Sequence, residues 1–557
     1  MSKLIIYQLL PRLFSNFNPN NIPNGSIEDN GCGKFNQINA AALNSIKELG
    51  VTHIWYTGVI KHATQTDYSA FGIKNDHPAV VKGKAGSPYA ISDYFDIDPD
   101  LAESVADRIS EFQLLVDRTH MAGMRVIIDF VPNHVARIYR SDAKPDHVAG
   151  LGNADNPHIG FSPQNNFYYI PGQKFQPHFD IGDYHEFPAR ATGNDQFTAS
   201  PGRNDWYETV KLNYGVDYLN GKQCYFDPIP DTWLKMRDVL LYWASFRIDG
   251  FRCDMAEMVP VEFWEWVIPK VKSLNPEMLF IAEVYQPAHY RNYILRGGFD
   301  YLYDKVGLYD KLRDIVCNNH SASDITAVWQ SLHGIESRML NFLENHDEQR
   351  IASTFFAGNA LKAFPALLVS SMLNHCPFMV YAGQELGEAG MDEEGFSGCD
   401  GRTTIFDYWG VSTLQAYNNS GKFDGGNLSV ESQNIRRYYQ KVFNLIHSEK
   451  AIANGKMYDL QYLNLRNADY NPHKQFAWFR HTDKELILIV VNFDAGTVHV
   501  ALQLNSEVLQ YLAIDENTSF MAVDLLDQFC FSGVFSESKK IHFNIRGYNG
   551  RVLKINY

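Results

Sequence analysis

The chain has 557 residues, 45% of them hydrophobic and 20% charged, with a formal net charge of −15. That is the make-up of a globular chain long enough for more than one domain. It carries no basic excess to neutralise nucleic-acid phosphates or to meet an anionic membrane surface, so neither partner is expected.

The opening MSKLIIYQLLPRLF is interrupted by Gln8 and Pro11 and has no small-residue cleavage site. It reads as a first strand rather than a signal peptide. Eight short, nearly continuous apolar runs are predicted as strands: Leu4–Leu9, His53–Thr57, Arg125–Val131, Gly250–Asp254, Leu279–Val284, Asp300–Tyr303, Met339–Leu343 and Phe378–Tyr381. Such runs suit parallel strands buried on both faces. Helical spacing lies between them, as in 101–122 with Leu101, Val105, Ile109, Phe112 and Val116, and in 232–246 with Trp233, Met236, Val239, Leu240 and Trp243. Further helical patterns cover 261–273, 358–375 and 432–447. Eight β/α alternations point to an α/β chain built on a closed (β/α)8 TIM barrel, although pattern alone also allows an open sheet.

The alternation breaks once. Residues 135–227 are rich in Asn, Asp, Gly, Pro, Tyr and Phe and have little periodicity. A structureless loop of that length is improbable in a compact fold, so an inserted domain is expected after strand three. From residue 453 the runs Gln475–Arg480, Glu485–Asn492, Val498–Leu504, 541–546 and 551–556 predict a C-terminal antiparallel β-sandwich. The expected division is barrel 1–134 with 228–452, insert 135–227 and sandwich 453–557. Seven widely spaced cysteines, with no CxxC or Cys/His ligand pattern, suit a reducing compartment and hence the cytoplasm. No stretch is long and apolar enough to span a bilayer.

In such a barrel, chemistry sits at the C-terminal ends of the strands. Four of those ends carry acids: Asp129-Phe130-Val131-Pro132-Asn133-His134, Gly250-Phe251-Arg252-Cys253-Asp254, Phe280-Ile281-Ala282-Glu283-Val284 and Phe342-Leu343-Glu344-Asn345-His346-Asp347. One carboxylate after an apolar strand is usually a cap or a satisfied surface group. Four at equivalent places are costly unless water or a partner meets them.

The order and spacing of these four motifs resemble the α-amylase family, glycoside hydrolase family 13. The eighth-strand segment from Cys376 to Glu385 and the stretch Ser87-Pro88-Tyr89-Ala90 resemble it as well. The likeness implies a retaining glycosidase acting on the α-1,4-glucosidic bonds of maltodextrins or starch fragments. By that resemblance Asp254 is the nucleophile, Glu283 the acid/base and Asp347 the brace of the distorted sugar. Arg252 keeps Asp254 ionised, Tyr89 stacks on the sugar, and His134 and His346 hydrogen-bond it. Asp129, Glu344 and Glu385 are expected to be structural. Ala282, Val284 and Tyr285 flank Glu283 and suggest apolar surroundings that raise a carboxyl pKa. The alternatives are glycosyl transfer or isomerisation at the same site, as in a glucanotransferase or a trehalose-forming enzyme, and a non-catalytic barrel scaffold.

The resemblance requires no cofactor for the chemistry and leaves room for one structural calcium ion. Its ligands would include Asn133 and the backbone oxygen of Met258, where the family often has Lys-His in place of Glu257-Met258. Asp155, Asp180 and Asp183 are further candidate ligands that spacing does not decide between. The Asn-rich loop Asn16–Asn24 is a second candidate metal site, although loops of this kind are more often plain turns. A second departure is Ala90: family members that release single glucoses often have an Asp there, paired with a late-loop arginine such as Arg402. Without that carboxylate, cleavage inside the chain is expected.

Overall fold

A computed structural model describes residues 3–146, 148–536 and 540–557. Eight strands close into a parallel barrel: β1 (Ile5–Leu9), β2 (His53–Tyr56), β3 (Arg125–Phe130), β4 (Gly250–Cys253), β5 (Leu279–Ala282), β6 (Tyr301–Tyr303), β7 (Met339–Phe342) and β8 (Phe378–Tyr381). Each pairs with the next in sequence, and β8 returns to β1 with Ile5 opposite Phe378. Every expected strand run holds one of these strands. The ladders stop just short of the acids, however: β4 ends at Cys253 and β5 at Ala282. The Asp254 and Glu283 amides still bond to Phe130 O (2.9 Å) and Cys253 O (3.1 Å), so both side chains sit one position past the barrel rim.

The helices lie outside the barrel with their apolar stripes inward. Asp231–Ala244 buries Trp233, Met236, Val239, Leu240 and Trp243. The helix expected over 101–122 begins only at Arg108. Pro99–Leu101 and Val105–Asp107 form single 3-10 turns instead, and Glu111 turns back to accept the Glu103 and Ser104 amides at 2.9 and 2.7 Å. The helix expected over 358–375 likewise shortens to Phe364–Met372, with Pro365 in its first turn.

Between β3 and β4 the chain makes three two-stranded antiparallel ladders: His134–Ala136 with Thr209–Lys211, Tyr169–Ile170 with Ala189–Arg190, and Val216–Asp217 with Gln223–Cys224. Side chain to backbone bonds pin this segment. The buried Arg137 donates to Tyr207 O (2.7 Å) and Thr209 O (3.0 Å) and pairs with Glu186 (2.8 Å). A stretch held this way has little hydrophobic period to read.

After residue 455 a six-stranded sheet runs in the order Lys456–Asp459, Gln475–Thr482, Glu485–Asn492, Asn549–Asn556, Ser519–Asp524 and Cys530–Val534; Val498–Leu502 pairs separately with Ile541–Ile545. Alternate residues serve two cores. Ala477, Phe479, Leu488 and Val490 pack against Val500, Leu502, Phe543 and Ile545, whereas Phe476, Trp478, Ile487 and Ile489 join the core of the barrel. Trp478 is fully buried there and donates to Met372 O at 3.3 Å. Trp478→Ala should therefore cost about 3–5 kcal/mol, measured by urea denaturation followed by tryptophan-independent circular dichroism. A loss under about 1 kcal/mol would show that this seam contributes little.

Candidate active site

Arg252 projects from β4 and is wholly buried. Nη1 donates to Asp254 Oδ1 at 2.8 Å and to Asp129 Oδ1 at 3.3 Å, Nη2 to Glu283 Oε2 at 2.7 Å, and Nε to the Tyr303 hydroxyl at 3.2 Å. The rings of Trp55, Tyr89 and Tyr303 lie 5.2, 5.3 and 5.5 Å from the guanidinium. One planar cation thus joins three carboxyl groups inside an aromatic cage, a role that a lysine point charge could not fill.

Asp254, Glu283 and Asp347 face one cavity of about 270 Å³, shared with Tyr89, His134, Trp206, Tyr285 and Phe406. Arg252 lies behind its wall. His346 belongs to an adjoining cavity that also touches Asp347 and Phe406. Among the described residues Asp254 Oδ2 has no hydrogen-bond partner, so one oxygen is tied to Arg252 and the other is free. Met255 follows in a left-handed turn (φ 42°), an uncommon conformation for a side chain of its size. That turn brings its amide to 2.8 Å from Glu283 Oε2.

Glu283 does not have the apolar surroundings that its sequence neighbours suggest. Its carboxyl meets Arg252, the Met255 amide and the Tyr285 hydroxyl. Ala282 and Val284 are buried in the apolar core, and only Tyr285, on the same side as Glu283, reaches it. The strong upward pKa shift falls on Asp254: burial drives it, Arg252 opposes it, and repulsion from Glu283, Asp129 and Asp347 adds to it. Asp129 is pushed up to about 6 by burial, against the pull of Arg252. Arg252 therefore does not hold Asp254 low, as the sequence suggests, because the cost of burial outweighs its pull.

Aromatic and imidazole rings form the walls. Tyr89 stacks on His346 with centroids 5.0 Å apart, and its hydroxyl reaches Asp129 at 3.5 Å. His346 Nδ1 lies 2.8 Å from the Gln8 amide, and Nε2 lies 3.1 Å from Asp347 Oδ2. Asp347 itself is 45% exposed in the cavity. His134 has its pKa pushed down to about 3, first by burial and then by Lys211. Its ring packs at 5.2 Å against Trp206 from the inserted segment.

A family model of the alpha-amylase catalytic domain matches residues 8–419. The chain belongs to the alpha-amylase family. Neopullulanase 2 of Thermoactinomyces vulgaris is 24% identical over 406 residues, which cover 69% of this chain and 57% of that one. An intracellular maltogenic amylase of Bacillus subtilis is 23% identical over 400 residues, 70% of this chain and 56% of that one. The matched region thus spans a little over half the length of these relatives. A noncanonic maltogenic alpha-amylase from Thermotoga neapolitana shares the fold, with a TM-score of 0.63 at 20% identity over 100% of this chain and 99% of that one.

Within this alpha-amylase-family chain the expected calcium donors do not converge. Asp155 accepts the Asn166 and Phe167 amides, at 2.7 and 3.1 Å. Asp183 is exposed and pairs with His77 at 2.9 Å, and Asp180 caps Gly182. Asn133 Oδ1 already faces an ammonium group, that of Lys211, at 2.6 Å. Glu344 binds Arg350 (2.9 Å) and the Ile351 amide (2.6 Å), and Glu385 binds the Tyr7 hydroxyl (2.8 Å).

Sequence reasoning missed Trp55, Tyr303, Tyr285, Trp206 and the Met255 turn. Tyr285 was within reach, since carrying the strand period two residues beyond Glu283 places it on the same face. Trp206 gave no such signal.

The upward shift of Asp254 has a consequence for stability. A carboxyl whose folded pKa is raised contributes stability below its unfolded pKa of 3.8 and loses it as pH rises through the folded value. Asp254→Asn removes that loss. The variant should melt above the wild type, by more at pH 8 than at pH 4. A variant that melts lower at pH 8 would show the carboxylate to be net stabilised.

Proposed function

We propose that this chain is a retaining glycosidase that cleaves α-1,4-glucosidic bonds within maltodextrins. The observation that carries the reading is the Arg252 clamp, with Asp254 and Glu283 on adjacent nitrogens and the second Asp254 oxygen free. One guanidinium joining both acids favours the separation of about 5–5.5 Å used in double displacement over the roughly 6.5–9.5 Å that admits a water for inversion. Asp254 Oδ2 attacks the anomeric carbon and the bond to the leaving oxygen breaks. Glu283 gives its proton to that oxygen. Glu283 then takes a proton from water, whose oxygen displaces Asp254 from carbon. Asp347 holds the ring hydroxyls from the half-open side, and Tyr89 offers its face to the ring.

The trough supports internal cleavage. The catalytic cavity continues past Asp347 and Phe406 into a second one of about 480 Å³, bounded by His346, Phe396, Asp400 and Arg402. Ala90 is buried against Ala63, Val81 and Ala136, and Arg402 pairs instead with Asp400 at 3.0 Å. One feature favours a second reading, single-glucose or short-product release. Lys82 and Glu208 meet at 2.9 Å and line the catalytic cavity, joining the loop before Tyr89 to the inserted segment. A cytoplasmic setting accords with the seven unpaired cysteines and with the intracellular relative.

Asp254→Asn should lower kcat by on the order of 10⁴-fold or more, as measured on maltoheptaose; activity within tenfold of wild type would remove Asp254 from the nucleophile role. Product released in the first minutes should be the α-anomer by proton NMR, and a β-anomer would mean inversion. Maltoheptaose blocked at its non-reducing end should be cut at nearly the unblocked rate. If only the unblocked sugar is cut, with glucose as the sole small product, the Lys82–Glu208 reading replaces internal cleavage. Longer products than substrate would indicate transfer to sugar in place of water.

A further inference from the structure

The strand that begins at His134 runs antiparallel to Thr209–Lys211, with His134 directly opposite Lys211. Directly opposed residues on paired strands share a face. The Lys211 ammonium is 2% exposed, lies 2.6 Å from both Asn133 Oδ1 and Asp195 Oδ1, and stands over the Tyr218 ring at 5.1 Å. Asp195 reaches it from a left-handed backbone (φ 63°), a conformation that persists only where surroundings enforce it. Its turn is closed by Asp195 N to Thr192 O at 3.1 Å.

The Asn133 amide is fixed by this cation. With its oxygen on Lys211, its nitrogen reaches Gly193 O at 2.8 Å and His134 Nδ1 at 3.1 Å. An N–H pointed at Nδ1 leaves the imidazole proton on Nε2. A calcium ion needs six to eight oxygens at roughly 2.3–2.6 Å, and it would compete with the ammonium for the same two. Asp155, Asp180 and Asp183 are engaged elsewhere, as described above, and Met258 O accepts from the hydroxyl of Tyr218, the ring that Lys211 stands over, at 3.4 Å.

We propose that Lys211 is a built-in cation that stands where the family resemblance places a metal, and that through Asn133 it is a positioning residue for His134. The fold then needs no calcium. The part concerning turnover rests on the proposed glycosidase reading, whereas the thermal and elemental tests do not.

Full-length protein is melted in EDTA and in excess calcium chloride, and its metal content is measured after dialysis. The midpoint should be the same in both, with no stoichiometric calcium. A midpoint raised by calcium, or one calcium retained per chain, overturns the proposal. Lys211→Met keeps bulk and removes charge; it should lower kcat on maltoheptaose about 10- to 100-fold, as loss of an orienting partner does, with a smaller change in KM. Lys211→Arg, which keeps the charge, should recover most of that loss. Equal loss in both variants would leave Lys211 a packing residue and overturn the positioning role.

Discussion

The site depends on one buried guanidinium. Removing Arg252 would leave Asp129, Asp254 and Glu283 buried without a cation, and uncompensated buried charge costs several kcal/mol. Its position follows from the barrel. β4 presents Arg252 inward, with Asp129 of β3 opposite it in register and Ile281 of β5 on its other side, so Glu283 stands two residues further up the neighbouring strand. The parallel register delivers three acids to one fork without any loop having to place them. The aromatic cage of Trp55, Tyr89 and Tyr303 excludes water, which strengthens each of these contacts.

The same arrangement sets fold stability against function. Burial, with repulsion from the neighbouring acids, raises the pKa of Asp254 despite Arg252, and one of its carboxylate oxygens has no partner among the described residues. A cluster built for stability would give that oxygen a donor. Here it is buried without a donor, and the following residue is held in a left-handed turn. Strain and an unpaired acceptor at adjacent positions belong to a site kept ready for a ligand rather than to a well-satisfied core.

What the sequence shows of this depends on how each part is held together. The barrel strands are legible because burial on both faces makes continuous apolar runs, and the acids are legible because a carboxylate after such a run is conspicuous. The helix over 101–122 is overread because its first turns carry apolar residues at helical spacing while Pro99 and the Glu111 carboxylate divert the backbone. The strand Cys530–Val534 is missed because it is the edge of the tail sheet and has no buried residue, and Ser519–Asp524 beside it because it buries only alternate residues. The charge balance at Glu283 is misread for a simpler reason. Sequence neighbours on a strand point to opposite faces, so flanking Ala and Val say nothing about what the carboxyl touches. Its partners, Arg252 and the Met255 amide, come from another strand end.

The inserted segment shows where a sequence argument needs a second kind of information. It has few strands and only a small core of its own, around Phe175 and Tyr184. Yet it supplies Trp206, Glu208 and Lys211 to the cavity wall or to the support directly behind it. Such a segment cannot be fixed by hydrophobic burial alone, because most of its backbone polar groups lie outside ladders and still need partners. Buried cations help: Arg137 holds two backbone carbonyls and a carboxylate, and Lys211 holds the side chains of Asn133 and Asp195. Both extend from the one ladder that joins the insert to β3. The wall of the trough on this side therefore takes its order from charge more than from core.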